Sequence, residues 1–407
     1  MPVDDTFVIV GAGLAGAKAA QTLRDEGFDG SIVLVGEESE LPYERPPLSK
    51  GLLLGSSEPD SVFVHDAGWY PDHGVELRSA TRVTGIDRVD RHVRLAGGQR
   101  ISYDKLLLTT GCTPRTLTIP GTQLDGVLQL RTLSDSRRIA AALVDNAQLV
   151  IIGAGWIGLE VAAAARQRGA TVTVVEMAEL PLQRVLGDEI ARTFADLHHA
   201  HGVTFHFTTQ VREVRGAGRV SSVLLADGTE LPADTVVVGV GVRANTDLAE
   251  QAGLTVDNGI LVDASLRTSD PNIYAAGDVA NAYHPLLARH IRVEHWANAL
   301  NGGPAAARAM LGQEVSYDKL PYFYTDQYDL GMEYTGYAPP GDFDRVVIRG
   351  ELAKREFIAF WTASGRVLAG MNVNVWDVVA PIQRLIREGR PVDPVRLADP
   401  DTPLEEV

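Results

Sequence analysis

Four short apolar runs recur in two matched pairs along the chain. Phe7-Val8-Ile9-Val10 is followed by Ile32-Val33-Leu34-Val35, and Leu149-Val150-Ile151-Ile152 by Val172-Thr173-Val174-Val175. They are continuous rather than alternating, the pattern of parallel strands covered on both faces. Between the members of each pair lie a glycine-rich turn and a stretch of small residues. In the first pair these are Gly11, Gly13 and Gly16, then Ala17, Ala19 and Ala20. In the second they are Gly153, Gly155 and Gly158, then Val161 and an alanine run over 162–165. Each spacing predicts strand, tight turn, helix and strand, with Glu37 and Glu176 at the ends of the second strands. Thr235-Val236-Val237-Val238-Gly239 closes the second such unit, and Ile273-Tyr274-Ala275-Ala276-Gly277-Asp278 reads as a strand ending in Gly-Asp. From about residue 323 Tyr and Phe become frequent. There 356–361 and 367–372 flank Ala363-Ser364-Gly365 as a hairpin, and a helix is expected over 375–387, stopped by Gly389 and Pro391. The acidic, proline-containing residues 399–407 are expected to form a loose tail.

The glycines carry the first chemistry. In such a turn the first glycine permits the bend, the second lets backbone approach a pyrophosphate, and the third brings helix and strand together. The helix then points free N–H groups and the positive end of its dipole at the phosphates. A carboxylate at the end of the next strand can accept hydrogen bonds from a ribose diol. Two such sets in one chain predict two dinucleotides and electron movement between them. At the second set, Glu176-Met177-Ala178 offers negative charge with no adjacent arginine, which favours NADH over NADPH. Arg184, a little further on, is the residue that could change that preference.

Composition narrows the class. A chain of 407 residues, 45% hydrophobic, is long enough for two or three domains. No apolar run reaches the length of a membrane span, and Met1-Pro2-Val3-Asp4-Asp5 has no charged n-region or h-region, so a cytoplasmic location without membrane attachment is expected. A net charge of −16 argues against nucleic acid as a partner. The single cysteine, Cys112, lies in a turn-like segment and allows neither an intrachain disulfide nor a cysteine-held metal or iron–sulfur site. His198, His199 and His201 near a helix end read as a solvated face, and no metal is expected.

The segment Leu41-Pro42-Tyr43-Glu44-Arg45-Pro46-Pro47-Leu48-Ser49-Lys50 resembles the signature of FAD-dependent NADH:ferredoxin and rubredoxin reductases, the putidaredoxin reductase-like components that serve cytochrome P450 and ring-hydroxylating dioxygenases. The resemblance runs on through Thr110-Gly111 with Pro114-Arg115, Gly277-Asp278, Arg292-Val293-Glu294-His295-Trp296, Asp326-Gln327-Tyr328, Gly370-Met371-Asn372-Val373 and Pro381-Ile382-Gln383. It implies an α/β fold of two Rossmann-like dinucleotide-binding domains on the glutathione-reductase-like plan, plus a C-terminal α+β domain. Residues 1–112 and 247–322 would form the FAD domain, 113–246 the NAD domain and 323–407 the C-terminal domain. It further implies hydride transfer from NADH to flavin N5, then export of single electrons to a 2Fe–2S ferredoxin or a rubredoxin, and through it to a cytochrome P450 or dioxygenase.

The same resemblance assigns residues. Asp278, Arg45 and Glu37 would hold FAD, with Thr110 and Gly111 near its pyrophosphate and Glu294, His295 and Trp296 beside the flavin. Ala15, Arg131, Ile157 and Gly241 complete the cofactor contacts. Lys50 and Glu160 would meet at the nicotinamide–flavin junction as the catalytic pair, the lysine stabilising negative charge on reduced flavin. Relatives often carry Trp where this chain has Tyr324, and Arg289, Arg292 and Lys319 are candidates for a basic docking patch. Two other readings stay open at this point. One is an NADH oxidase or quinone/ferric reductase working on small acceptors, and the other a redox-sensing flavoprotein resembling apoptosis-inducing factor.

Overall fold

The computed structural model describes residues 5–407, so the reading of the first four residues as lacking a leader lies outside it. Two compact units emerge. The first comprises residues up to Glu44, Asp60–Thr113 and Arg243–Pro321; the second comprises Arg45–Pro59, Pro114–Val242 and Tyr322–Val407.

The first unit is built on a five-stranded parallel sheet in the order Ile273–Ala275, Lys105–Leu108, Thr6–Val10, Ser31–Val35, Val75–Arg78. The apolar run Phe7–Val10 is buried along its whole length, as a strand covered on both faces must be. The helix Leu14–Asp25 follows directly, with Ala17, Ala19, Ala20 and Leu23 wholly buried. A second helix, Trp296–Met310, lies against it, and a Cβ added to Gly303 would come 2.1 Å from the Ala15 carbonyl oxygen. Only glycine allows that approach. Gly303 therefore seats the first glycine helix. The strand Ile273–Ala275 returns the chain to the first sheet, as expected.

The second unit repeats the plan. Its parallel sheet runs Thr204–His206, Thr171–Val175, Gln148–Ile152, Thr235–Val238, Val127–Leu128, and the helix Trp156–Gln167 follows the second glycine set. A five-stranded antiparallel sheet completes it, in the order Tyr322–Gln327, Leu330–Gly336, Arg366–Val373, Glu356–Ala363, Arg345–Glu351. The expected hairpin is the pair Glu356–Ala363 and Arg366–Val373, turned through Ser364 and Gly365 at φ 48° and 75°, the left-handed pair that a two-residue hairpin demands. One hydrophobic core joins both sheets, from Leu149, Leu159 and Phe194 to Met332, Phe357 and Trp361.

Three expectations need correction. The last helix begins at Val379, because Asn374 and Asp377 adopt left-handed φ of 50° and 63° that a helix excludes. Cys112 is the first residue of a short strand, Cys112–Pro114, and is buried. Residues 399–407 are not loose. Leu404 and Val407 are buried, and Arg349, Arg384, Arg390 and Arg396 donate to backbone carbonyls of the segment. Among the described residues no helix is long and apolar enough to cross a membrane.

Candidate active site

The three glycines of each set meet three different surroundings. Gly11 has φ of 117°, and a Cβ on it would fall 2.2 Å from the Thr109 carbonyl oxygen. Gly153, at φ 103°, stands in the same relation to the Gly239 carbonyl at 2.4 Å. The third glycines close on the first: a Cβ on Gly16 would lie 2.1 Å from the Gly11 oxygen, and one on Gly158 2.2 Å from the Gly153 oxygen. Around Gly13 and Gly155 such an atom meets nothing within 4 Å. Both helices begin on these open glycines, with no side-chain cap and no acidic residue in the first turn. Uncapped N–H groups facing open space accept an anion readily, so each turn fits a dinucleotide pyrophosphate.

In the first unit, Ala15 is buried in the first turn and its Cβ lies 3.3 Å from where one on Gly277 would stand. Glu37 is exposed, with Arg82 at 3.5 Å. Thr110 and Gly111 are tied to one side chain and its backbone: Asn245 Nδ2 donates to the Thr110 carbonyl at 2.8 Å, and Asn245 N to the Gly111 carbonyl at 2.9 Å. Asp278 follows Gly277, whose φ is 74°. Arg292 donates to the Asp278 carbonyl at 3.3 Å and pairs with Glu294 at 2.7 Å. Its side chain is only 11% exposed, which removes it from the expected basic docking patch. His295 caps the helix Trp296–Met310, and burial pushes its imidazolium down to about 4 against the opposing pull of Asp278. Trp296 Nε1 donates to Glu44 at 3.1 Å. Glu44 belongs to the signature segment, and no short-range signal linked the two.

Arg45, Lys50 and Arg131 belong to the second unit. Arg45 donates to the Arg131 carbonyl. Gly241, at φ 94°, accepts at its carbonyl from Arg115 N at 2.9 Å. Ile157 is 45% exposed beside the open Gly155, and Met177 is 59% exposed just after Glu176. The Glu176 carboxylate accepts from Ala154 N at 2.7 Å and Ala178 N at 2.9 Å, which fixes it across the glycine turn. Arg184 is exposed in the short helix Gln183–Leu186.

Lys50 and Glu160 are in contact, Nζ to Oε1 at 2.7 Å. The carboxylate is 4% exposed and the lysine 16%. Two further donors converge on it, Thr325 Oγ1 at 2.6 Å and Ser49 Oγ. Three donors satisfy a charge that burial alone would penalise heavily. The Lys50 ammonium also stands 5.4 Å from the Tyr324 ring centre, within cation–π range. The sequence missed Ser49 and Thr325; Ser49 lay inside the signature, while Thr325 comes from a strand 165 residues away. The reading of the histidine cluster is corrected for one member, His199 being exposed as expected and His201 half-buried. His198 is fully buried and meets Gln327 at 2.8 Å, so it does not belong to that solvated face.

Two parallel sheets, each followed by an open glycine turn, with a buried lysine–carboxylate pair, define a dinucleotide-dependent oxidoreductase. Residues 5–303 match the pyridine nucleotide-disulphide oxidoreductase family and residues 322–407 the reductase C-terminal family, and the chain belongs to the former. It is 42% identical to the ferredoxin–NAD(+) reductase component of the anthranilate 1,2-dioxygenase system of Burkholderia cepacia, over 98% of each chain. It is 37% identical to putidaredoxin reductase of Pseudomonas putida, over 100% of this chain and 97% of that one. Among solved structures it superposes on the covalent putidaredoxin reductase–putidaredoxin complex with a TM-score of 0.95, at 36% identity over 99% of this chain and 98% of that chain.

Proposed function

We propose that the protein is a cytoplasmic FAD-containing NADH:ferredoxin reductase, delivering electrons through a 2Fe–2S ferredoxin or a rubredoxin to an oxygenase such as a cytochrome P450 or a ring-hydroxylating dioxygenase. The observation that carries this reading is the pair of open glycine turns, together with a single cysteine that leaves no internal disulfide to reduce. FAD, when bound, supplies the conversion of a two-electron donor into one-electron export. The residues' own tasks are to bind, orient and neutralise. In this reading Gly11, Gly13 and Gly16 seat the FAD pyrophosphate, and Glu37 and Asp278 accept from its sugar hydroxyls. Gly153, Gly155 and Gly158 seat NADH, with Glu176 on its ribose. Lys50 and Glu160 form the catalytic pair of the hydride step. The proposed domain division is FAD over 1–112 and 247–322, NAD over 113–246, and a C-terminal domain over 323–407.

The acceptor is tested by turnover. Purified protein with NADH should reduce a 2Fe–2S ferredoxin at least about tenfold faster than oxygen under matched conditions. Faster turnover with oxygen or ferric complexes than with every ferredoxin and rubredoxin tried would favour an oxidase or ferric reductase instead.

Nucleotide preference rests on Glu176, whose charge would face a 2′-phosphate. NADH is expected to be the better substrate, and Glu176→Gln should raise the ratio of kcat/KM for NADPH over NADH about tenfold by removing that charge. Steady-state kinetics with both nucleotides checks this, and an unchanged ratio would leave the preference to some other residue.

A further inference from the structure

Behind the Glu160 carboxylate a chain of polar side chains runs into the core of the second unit. Thr325 Oγ1 donates to Glu160 Oε1 at 2.6 Å, Gln327 Nε2 donates to Thr325 Oγ1 at 3.1 Å, and His198 Nε2 meets Gln327 Oε1 at 2.8 Å. Thr325 and Gln327 stand two apart on the strand Tyr322–Gln327 and so share a face. His198 comes from the helix Asp188–Ala200. The exposures are 1% for Thr325 and Gln327, 0% for His198 and 4% for Glu160.

The chain has a direction. Thr325 owns one hydroxyl proton, and it is committed to Glu160 when its other neighbour, Gln327, presents a donor rather than a competing acceptor. Gln327 is that donor, provided its amide nitrogen faces Thr325 and its oxygen faces His198. The amide keeps this orientation only if His198 carries a proton on Nε2. Were that proton on Nδ1, the amide would gain by turning over. Its oxygen would then accept from Thr325 and withdraw the hydroxyl from Glu160.

We propose that His198 is a positioning residue for Glu160: the proton on its Nε2 orients the Gln327 amide, which commits the Thr325 hydroxyl to the carboxylate. The surroundings agree with a neutral ring. Burial pushes the His198 imidazolium down to about 4; the Gln327 hydrogen bond opposes this, while His201 and His199 press it lower. The ring's other nitrogen lies 3.5 Å from the Tyr328 hydroxyl, and Tyr328 is itself stacked on His201 at 3.7 Å between centres. The inference rests on the role proposed above for Glu160. It adds that the carboxylate's geometry is set three side chains away, on a helix that carries none of the glycine motif.

Nitrogen-15 NMR of the full FAD-loaded chain, labelled in its histidine rings, tests the proposal directly. The His198 signal is assigned by its loss in His198→Gln. At pH 7 it should show a neutral ring with the proton on Nε2, and a proton on Nδ1 alone overturns the proposal. Stopped-flow reduction by NADH supplies the functional arm. His198→Leu should lower the limiting rate of flavin reduction about tenfold with an unchanged NADH dissociation constant. His198→Gln, whose amide nitrogen can reach the Nε2 position, should restore most of the loss. A His198→Leu rate equal to the parent's would also overturn it. If Glu160→Ala itself leaves the rate unaltered, the role of Glu160 fails while the NMR result still decides the chain's direction.

Discussion

Replacing Glu160 by alanine is expected to slow flavin reduction by NADH about a hundredfold, or roughly 2.7 kcal/mol at the barrier. Three donors meet on this buried carboxylate: the Lys50 ammonium, the Thr325 hydroxyl and the Ser49 hydroxyl. Alanine removes the acceptor these three share and takes away the lysine's contacting counter-charge in a largely buried place, where breaking a pair commonly costs about 3 kcal/mol of stability. Stopped-flow absorbance reads the rate, and thermal unfolding of the same samples reads the stability. Lys50→Ala should slow the same step; it leaves the more buried Glu160 carboxylate without its counter-charge but still accepting from Thr325 and Ser49. A rate within a factor of about two of the parent in both variants would remove the pair from the hydride step.

The second large effect concerns FAD itself, and two glycines of the same turn separate its causes. Gly11→Ala places a Cβ 2.2 Å from the Thr109 carbonyl oxygen in a backbone conformation that alanine resists. The strain and overlap together amount to about 3 kcal/mol or more, so the first turn should distort and the protein should purify without its yellow cofactor. Gly13→Ala is the sharper experiment, since its added methyl meets nothing of the protein within 4 Å. The fold should survive with parental secondary structure, yet FAD affinity should fall about a hundredfold because the methyl occupies the pyrophosphate's approach. Measured by flavin fluorescence on dilution, parental affinity in Gly13→Ala would place the pyrophosphate elsewhere.

What could be read from the sequence was local or periodic. Unbroken apolar runs gave the central strands, and glycine spacing gave the turns. Ala363-Ser364-Gly365 marked a hairpin whose register follows from its turn. The contact of Lys50 with Glu160 was reached only through resemblance, since 110 residues separate them. Thr325 was invisible for the same reason. His198 could have been found: it stands four residues after Phe194 and eight after Ile190, on the buried face of its helix. Its two histidine neighbours drew the reading toward solvent instead. The final segment misled because its own composition is acidic and polar, while the arginines that hold it lie up to some fifty residues away.

The common core of the second unit bears on how such a chain can be recombined. Residues 322–407 supply Thr325 and Gln327, which finish the carboxylate that the second glycine helix begins. A chimera exchanging only that C-terminal segment with another reductase, in search of a new electron acceptor, would also import foreign neighbours for Glu160. The exchangeable cassette is therefore discontinuous: 45–59, 114–242 and 322–407 travel together, and a crossover placed at the boundary between the two family matches would cut through the lysine–carboxylate cluster.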